Sequence, residues 1–409
     1  MEVCSKIKVF IKYKELKIII FTQSPLSKAP RVVKEANVLI KHGYDVAIFG
    51  IWYSDAIVKL DKSLISTRIK YFPGVDLRNK NSFRVFYLRS INKLSRYLVR
   101  FLKIQTKHAL GYGYKKYLKR LVKENADLYI GHEEMSLPLI IDLKKKNKKV
   151  VFDFEDFHSE DLLPKDRRYR PISLLEFFEK EVLFKADLTY TTSKELASAF
   201  ALKYKCNIPQ VIYNSFEYSP ISYVDSVENS LVWISQIIGP GRGLELLFEA
   251  LSFVKQDISV HLIGENKLPI EMIQEFPKNV KVVFHKTIMP KEIQMFLAQF
   301  DLGIAIEPTL PKSREYTITN KVFHYFNSGI GILATHTSGQ NEIKTLVPDA
   351  VEIIERSPAQ FGKKIDQLFT DRSRILEMKA ASIEAGISLF NYANEEKKLS
   401  KLIKDVFSI

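Results

Sequence analysis

Four segments carry residues whose types and spacing could do chemistry. The first is Ser235-Gln236-Ile237-Ile238-Gly239-Pro240-Gly241-Arg242-Gly243-Leu244-Glu245, where an apolar run leads through glycines into a helical pattern. Gly239 and Gly241 let a backbone approach an anion closely, and a helix N-terminus offers free N–H groups. Arg242 stands at that end and can clamp phosphate oxygens with two N–H groups. The plainer reading is a tight turn with a solvated arginine. The second is Thr319 to Gly329, ahead of the apolar run Ile330 to Ala334. Lys321 falls near the start of a short helix there and could neutralise a diphosphate. Against that, Val322, Phe323, Tyr325 and Phe326 read as core, with Lys321 merely exposed.

The third is Tyr129-Ile130-Gly131-His132-Glu133-Glu134, polar residues at the end of a strand, where ligands bind in doubly wound sheets. His132 could orient or polarise a hydroxyl, since its charge responds near neutral pH. Taken alone, the motif favours a structural histidine. The fourth is Asp153 to Asp161, in which Asp153, Glu155, Asp156, His158, Glu160 and Asp161 crowd nine positions. Carboxylates suit a hard divalent cation. The favoured reading is helix capping plus contacts to an acceptor hydroxyl, so no metal is expected. The sequence holds no nucleophile elbow, Walker loop or dinucleotide fingerprint. Thr22 to Lys28 contains no glycine, which argues against a nicotinamide or flavin dehydrogenase.

The elements that must position these residues alternate regularly. Leu16–Phe21, Asp45–Phe49, Asp127–Ile130, Val150–Phe152, Leu188–Thr191 and Val211–Tyr213 read as strands, with helices over Arg31–His42 and Leu139–Lys146. Strands apolar throughout and separated by helices indicate a parallel sheet covered on both faces. A second alternation follows a polar linker at Ile221–Ser230. Its strands are Leu231–Ser235, Val260–Ile263, Val280–Phe284, Leu302–Ile306 and Ile330–Ala334, with a helix over Leu244–Phe253 and a helical, charged tail from Pro358. The expected fold is α/β, with two Rossmann-like, doubly wound parallel-sheet domains facing a central cleft. We divide the chain into 1–219, 220–385 and a C-terminal helix, 386–409, free to cross back to the first domain.

The composition of the 409 residues, 46% hydrophobic and 27% charged, is that of a folded globular protein. Cys4 and Cys206 are too few and too distant for a disulfide framework or a zinc site, which fits a reducing cytosol. No apolar run reaches the ~18 to 20 residues of a membrane span, and no cleaved signal peptide is expected after Lys6, Lys8, Lys12 and Lys14. The net charge is +15. Most of it comes from one block, since Leu77 to Lys123 holds no Asp or Glu and fourteen Lys or Arg, from Arg78 to Lys123. That block implies an anionic partner. Tyr97, Leu98, Phe101, Leu102 and Ile104 lie among Arg96, Arg100, Lys103 and Lys107, the composition of an amphipathic basic helix. If those apolar residues pack inward, only the charge remains to attract a membrane.

In order and spacing, these segments resemble the retaining GT-B glycosyltransferases of family 4 (glycosyl transferases group 1), over roughly Leu16 to Tyr392. Pro30-Arg31-Val32-Val33-Lys34-Glu35-Ala36 and His42 to Val46 resemble the family's first helix and second strand. Ile130 to Glu133, Phe152 to Asp156, Ala186 to Ser193 and Val211 to Asn214 resemble its acceptor-domain strand ends. Gly239 to Glu245, Asn320 to Tyr325 and Ser338 to Glu342 resemble its donor loops. The resemblance implies a 1–219 acceptor-binding domain and a 220–385 nucleotide-sugar-binding domain. Gly239, Gly241, Arg242 and Lys321 would bind the donor diphosphate. His285, Glu307, Asn320, His324, Gly339, Gln340, Asn341 and Glu342 would surround the nucleotide and sugar. His132 and Glu133 would sit by the reacting centre, with Asp153, Glu155 and Asp156 on the acceptor side. The donor would be a UDP- or GDP-sugar, acting as substrate with no tightly held cofactor and no metal. The acceptor would be a glycan or lipid-linked glycan, reached at the inner face of a membrane by a cytoplasmic enzyme of polysaccharide synthesis.

The chain departs from the family's pattern at three places. Many members carry two glutamates eight positions apart in the donor loop; here those places are Tyr316 and His324. A histidine cannot accept two hydroxyl donors as a carboxylate does. An arginine often found five positions before the loop cation is replaced by Ile237. Glu307, Glu315 and Lys321 would have to take over. The alternatives are a catalytically impaired subunit that binds or activates a partner enzyme, and a nucleotide-sugar 2-epimerase on the same fold. A nucleic-acid binder ranks lowest, because no recognisable motif accompanies the basic block.

Overall fold

The structure is a computed structural model that describes residues 16–168, 170–221, 229–272 and 275–408. Most of the expected linker, 222–228, lies outside the described residues, as do Cys4 and the N-terminal lysines.

Two parallel sheets organise the chain. The first runs β3-β2-β1-β4-β5-β6-β7, with β1 Lys17–Phe21, β2 Asp45–Trp52, β3 Lys70–Asp76, β4 Leu128–His132, β5 Lys149–Phe154, β6 Leu188–Thr191 and β7 Gln210–Val211. Side chains alternate across a strand. Along β1, Ile19 and Phe21 therefore enter one core, while Ile18 and Ile20 enter the other. Both faces are covered, which is why β1 reads as an unbroken apolar run.

The second sheet runs β10-β9-β8-β11-β12-β13, with β8 Ser230–Ile238, β9 Ile258–Asn266, β10 Val280–His285, β11 Leu302–Ala305, β12 Gly331–Thr335 and β13 Val351–Ile354. The strand order reverses between β1 and β4 in the first sheet and between β8 and β11 in the second. Loops that leave the carboxyl ends on either side of a reversal diverge and open a crevice.

The helix Tyr392–Phe407 packs against the first domain. Leu399 and Ile403 join the core that holds Ile18 and Ile20. Tyr392 donates its hydroxyl to Lys34 O at 3.0 Å, and Glu395 accepts the Tyr213 amide at 2.9 Å. The two sheets are also tied across the cleft. Glu342 accepts the amides of Lys194 and Glu195 at the start of helix Lys194–Tyr204, at 3.1 and 3.0 Å, and the Tyr213 hydroxyl at 2.7 Å. A carboxylate there meets the positive end of the helix. Ser193 donates to Tyr316 O at 2.6 Å, and Ser313 to Asp161 at 2.9 Å.

Candidate functional site

β8 ends in the glycine loop. Gly241 and Gly243 adopt φ of +71° and +84°, a region that favours glycine. Gly243 also sits against the chain leaving β11, where a Cβ would come within 2.7 Å of Ile306 Cγ2. The Glu245 carboxylate accepts the Gly241 amide at 2.6 Å and holds the loop folded back on helix Leu244–Leu251. Arg242, half-exposed, donates to Ser235 Oγ at 3.0 Å.

Lys321 begins the helix Asn320–Ser328 beside this loop. Its ammonium is 2.8 Å from Glu307 Oε1 and 5.2 Å from the centre of the Trp233 ring. Glu307 is only 2% exposed; Thr319 donates to it at 2.9 Å, and Arg314 lies 3.5 Å away. Arg242, Arg314 and Lys321 thus share one wall with a single buried carboxylate. Trp233 is fully buried, and its indole N–H has no acceptor among the described residues.

The facing wall comes from the first domain. Glu155, Asp156 and Asp161 line it with Thr192 and Asn214, across a cleft of about 430 Å³. Behind it lies a buried chain of charged groups. His132, fully buried at the end of β4, meets Glu155 Oε1 through Nδ1 at 2.9 Å and Glu35 Oε2 through Nε2 at 2.6 Å. Glu35 in turn accepts the Tyr190 hydroxyl. Arg31 pairs with both oxygens of Asp153 and donates to Ile212 O at 2.9 Å.

Burial alone would depress the His132 pKa. The charges of Glu35 and Asp153 and the bond to Glu155 outweigh it and raise the pKa well above its ordinary value. A protonated His132 donates from both nitrogens, one to Glu155 and one to Glu35. Burial pushes the Glu155 pKa up, but the His132 bond and charge bring it below the usual carboxylate value. Asp156 goes the other way, raised by burial and then by Asp161, Glu155 and Glu133. Among the described residues, His132, Asp153 and Glu155 are the group with metal-ligand spacing. Glu35 and Glu155 take both ring nitrogens of His132, and Arg31 holds both oxygens of Asp153, so these residues satisfy one another without a cation.

The structure brings Glu155, Asp156, Arg242, Glu307, Asn320 and Lys321 together on the cleft. It places the other candidates elsewhere. His132 and Asp153 stand behind Glu155. Glu133, at φ +66°, turns its carboxylate back to accept from Thr22 Oγ1 at 2.6 Å and from the amides of Gln23 and Ser24 at 2.8 and 2.9 Å. His285 stacks on His261 along β9, with Nδ1 of His261 2.8 Å from its Nε2. His324 stacks on Phe216 with ring centres 3.8 Å apart, and burial followed by the Lys34 charge lowers its pKa to about 3. Tyr316 packs toward Phe157, and Glu315 accepts from Ser338, so neither lines the cleft. Gly339 lets helix Ser338–Leu346 approach Thr317, where a Cβ would meet its carbonyl at 2.6 Å. Gln340 and Asn341 bond within their own domain, and Glu342 ties the two domains together. Arg314 and Trp233 escaped the sequence reading. Arg314 lies in a single helical turn, Ser313–Tyr316, too short to show a periodic pattern, and Trp233 looks like one more apolar strand residue.

No family profile and no curated protein matches the chain. Solved structures do match over nearly its full length. A sucrose-phosphate synthase from Thermosynechococcus elongatus is 12% identical, with TM-score 0.71, and covers 96% of this chain and 100% of its own. The fold is GT-B. The Anabaena protein HepE in complex with UDP-glucose is 13% identical, with TM-score 0.66, and covers 96% of this chain and 100% of its own. A point mutant of S. aureus TarM, in complex with fondaparinux, α-GlcNAc-glycerol and UDP, is 11% identical, with TM-score 0.67 and coverage of 96% and 100%. At these identities the likeness carries the GT-B architecture. The chemistry must be argued from the cleft.

Proposed function

We propose that the chain is a glycosyltransferase that moves a sugar from a nucleotide-sugar donor to a glycan or lipid-linked acceptor. The observation that carries this reading is the cleft itself: a glycine loop with Arg242, Arg314 and Lys321 on one wall faces Glu155 and Asp156 on the other. A diphosphate suits the cationic wall and sugar hydroxyls suit the carboxylates. The GT-B neighbours with UDP-glucose or UDP in their crystals make a UDP-sugar the first donor to test.

In this reading Arg242 and Lys321 neutralise the charge that develops on the departing nucleoside diphosphate, the term that dominates such catalysis. Glu307 fixes Lys321. Glu155 accepts from a sugar or acceptor hydroxyl, and His132 is a positioning residue that holds Glu155 ionised and aimed. Transfer would proceed with retention and without a covalent protein intermediate. The setting would be cytoplasmic synthesis of a cell-surface polysaccharide, with the basic block from Arg78 to Lys123 drawing the protein to an anionic membrane. Among the described residues no helix is long and apolar enough to cross one.

The test is a thermal-shift panel of UDP-, GDP-, ADP- and CMP-sugars. One donor at a hundred times its dissociation constant should add about 2.7 kcal/mol of apparent stability, and Arg242→Ala should lose that shift. Glu155→Gln should keep it while transfer or donor hydrolysis falls about 100-fold. If no donor shifts the protein at millimolar concentration, the reading fails. A shift without turnover points instead to an impaired subunit.

A further inference from the structure

We infer that the helical segment Phe83–Leu102 inserts its outer face into an anionic lipid bilayer, as a helix lying in the membrane interface. The inference deepens the membrane part of the proposed function and rests on it. That part needs only charge, whereas an inserted face needs an apolar surface turned to solvent.

The segment is a helix from Phe83 to Tyr97, continued by a wider turn over Leu98–Leu102 and ended by Lys103 at φ 57°. Its inner face is Val85, Leu88, Asn92, Ser95 and Val99, all buried on the domain. These positions recur every three or four residues, as one helix face must. A second stripe runs along the opposite face, made by Phe83, Phe86, Leu94, Tyr97 and Phe101, with Ser90 between Phe86 and Leu94. Its apolar members are 81%, 66%, 57%, 57% and 52% exposed. Their exposure answers whether the apolar residues near Tyr97 pack inward: they face solvent. A helix apolar on two opposite faces needs a second apolar medium.

The flanks say which medium. Arg84, Arg89 and Lys93 border the outer stripe and form no ion pair among the described residues. No carboxylate occurs from Leu77 to Lys123. A second copy of this chain would bring two such faces together and set like charges against each other. Single-stranded nucleic acid is bound in grooves where bases stack, whereas this stripe lies along the exposed side of one helix. A stripe of phenylalanine and tyrosine bordered by arginine and lysine suits the boundary between acyl chains and anionic headgroups. At 1.5 Å per residue the segment is about 30 Å long and would lie flat on the surface.

The experiment is vesicle flotation of the full chain. Vesicles of phosphatidylcholine with about 30% phosphatidylglycerol are compared with pure phosphatidylcholine at low salt and at about 0.5 M NaCl, a composition and ionic strength chosen to separate charge from insertion. The wild type should float with the anionic vesicles and remain partly bound at high salt. Phe86→Ser/Tyr97→Ser/Phe101→Ser should bind at least about tenfold more weakly at both salts, with melting temperature and donor shift unchanged. Arg84→Gln/Arg89→Gln/Lys93→Gln should lose chiefly its low-salt binding. If the serine variant melts early, Phe83→Ser at the most exposed position gives the same readout. Wild-type binding by a folded serine variant overturns insertion and leaves charge attraction standing. No binding of the wild type to either vesicle overturns both. A dimer broken by the serine variant, with no vesicle binding, overturns insertion in favour of self-association. The donor shift is read on the same samples, so the glycosyl-transfer reading stands or falls separately.

Discussion

The two sheets are wound alike, and each reverses its strand order beside its first strand, yet their crevices end up opposite. Past β1, the Thr22 hydroxyl and the amides of Gln23 and Ser24 converge on the Glu133 carboxylate, which arrives from the end of β4. The chain's own anion occupies that crevice. Past β8, the residue arriving from the end of β11 is Glu307, and its carboxylate goes to Lys321 instead. Arg242 is left at the cleft with Ser235 as its hydrogen-bond partner. Topology supplies a place for an anion twice. One side chain decides whether the protein fills it or leaves it to a ligand.

That contrast can be broken at Glu133. Glu133→Ala leaves three donors without their acceptor and should lower stability by about 3 kcal/mol in urea unfolding. Tens of millimolar sulfate should restore part of the loss in the variant and do little for the wild type. Unchanged stability would mean that the carboxylate does not close the crevice.

The acidic wall gives the next largest effect. Glu179 is fully buried and accepts from the Ser159 amide at 2.8 Å and the Tyr204 hydroxyl at 2.6 Å, beneath the segment that carries Asp156 and Asp161. Burial raises its pKa from 4.5 to about 7. The folded state therefore holds this proton more tightly than the unfolded chain, and stability falls as pH rises between those two values. Glu179→Gln should flatten that slope by on the order of 2 kcal/mol across the window. A parallel pH profile for the variant would place the titration elsewhere.

On the open crevice, Gly243→Ala forces a side chain to φ +84° and toward Ile306, which should lower stability by about 1 to 2 kcal/mol and abolish the donor shift. An intact shift would show that the glycine loop does not hold the donor. The smallest effect serves as a control. Lys41 is 68% exposed and pairs with Glu396 on the returning helix at 2.7 Å. Lys41→Ala should change stability by less than about 0.5 kcal/mol and leave donor binding alone.

Much of this could be read along the chain. The apolar runs at Ile18–Phe21, Val150–Phe152 and Leu302–Ile304 announced central strands, because both of their faces are covered. β3 gave no such signal, because Pro73 and Gly74 interrupt it and its burial alternates; β13 is only the four residues Val351–Ile354, with Glu352 among them. The glycine loop with Arg242, and Lys321 after it, were also visible, since backbone freedom and a fixed charge are properties of single residues. The basic block was visible for the same reason.

What the sequence could not assign was direction. The resemblance put His132 by the reacting centre, yet it stands buried behind Glu155. Gly339 to Glu342 looked like a ligand loop, yet Gly339 packs on Thr317 and Glu342 bridges the domains. Tyr97 and Phe101 looked equally able to face in or out. The sequence by itself determined which residue types exist and with what period, and therefore the two parallel sheets and the cationic loop. Only the tertiary structure decided which carboxylate meets which cation, because most of those partners are far apart in the chain and meet only when the strands pair.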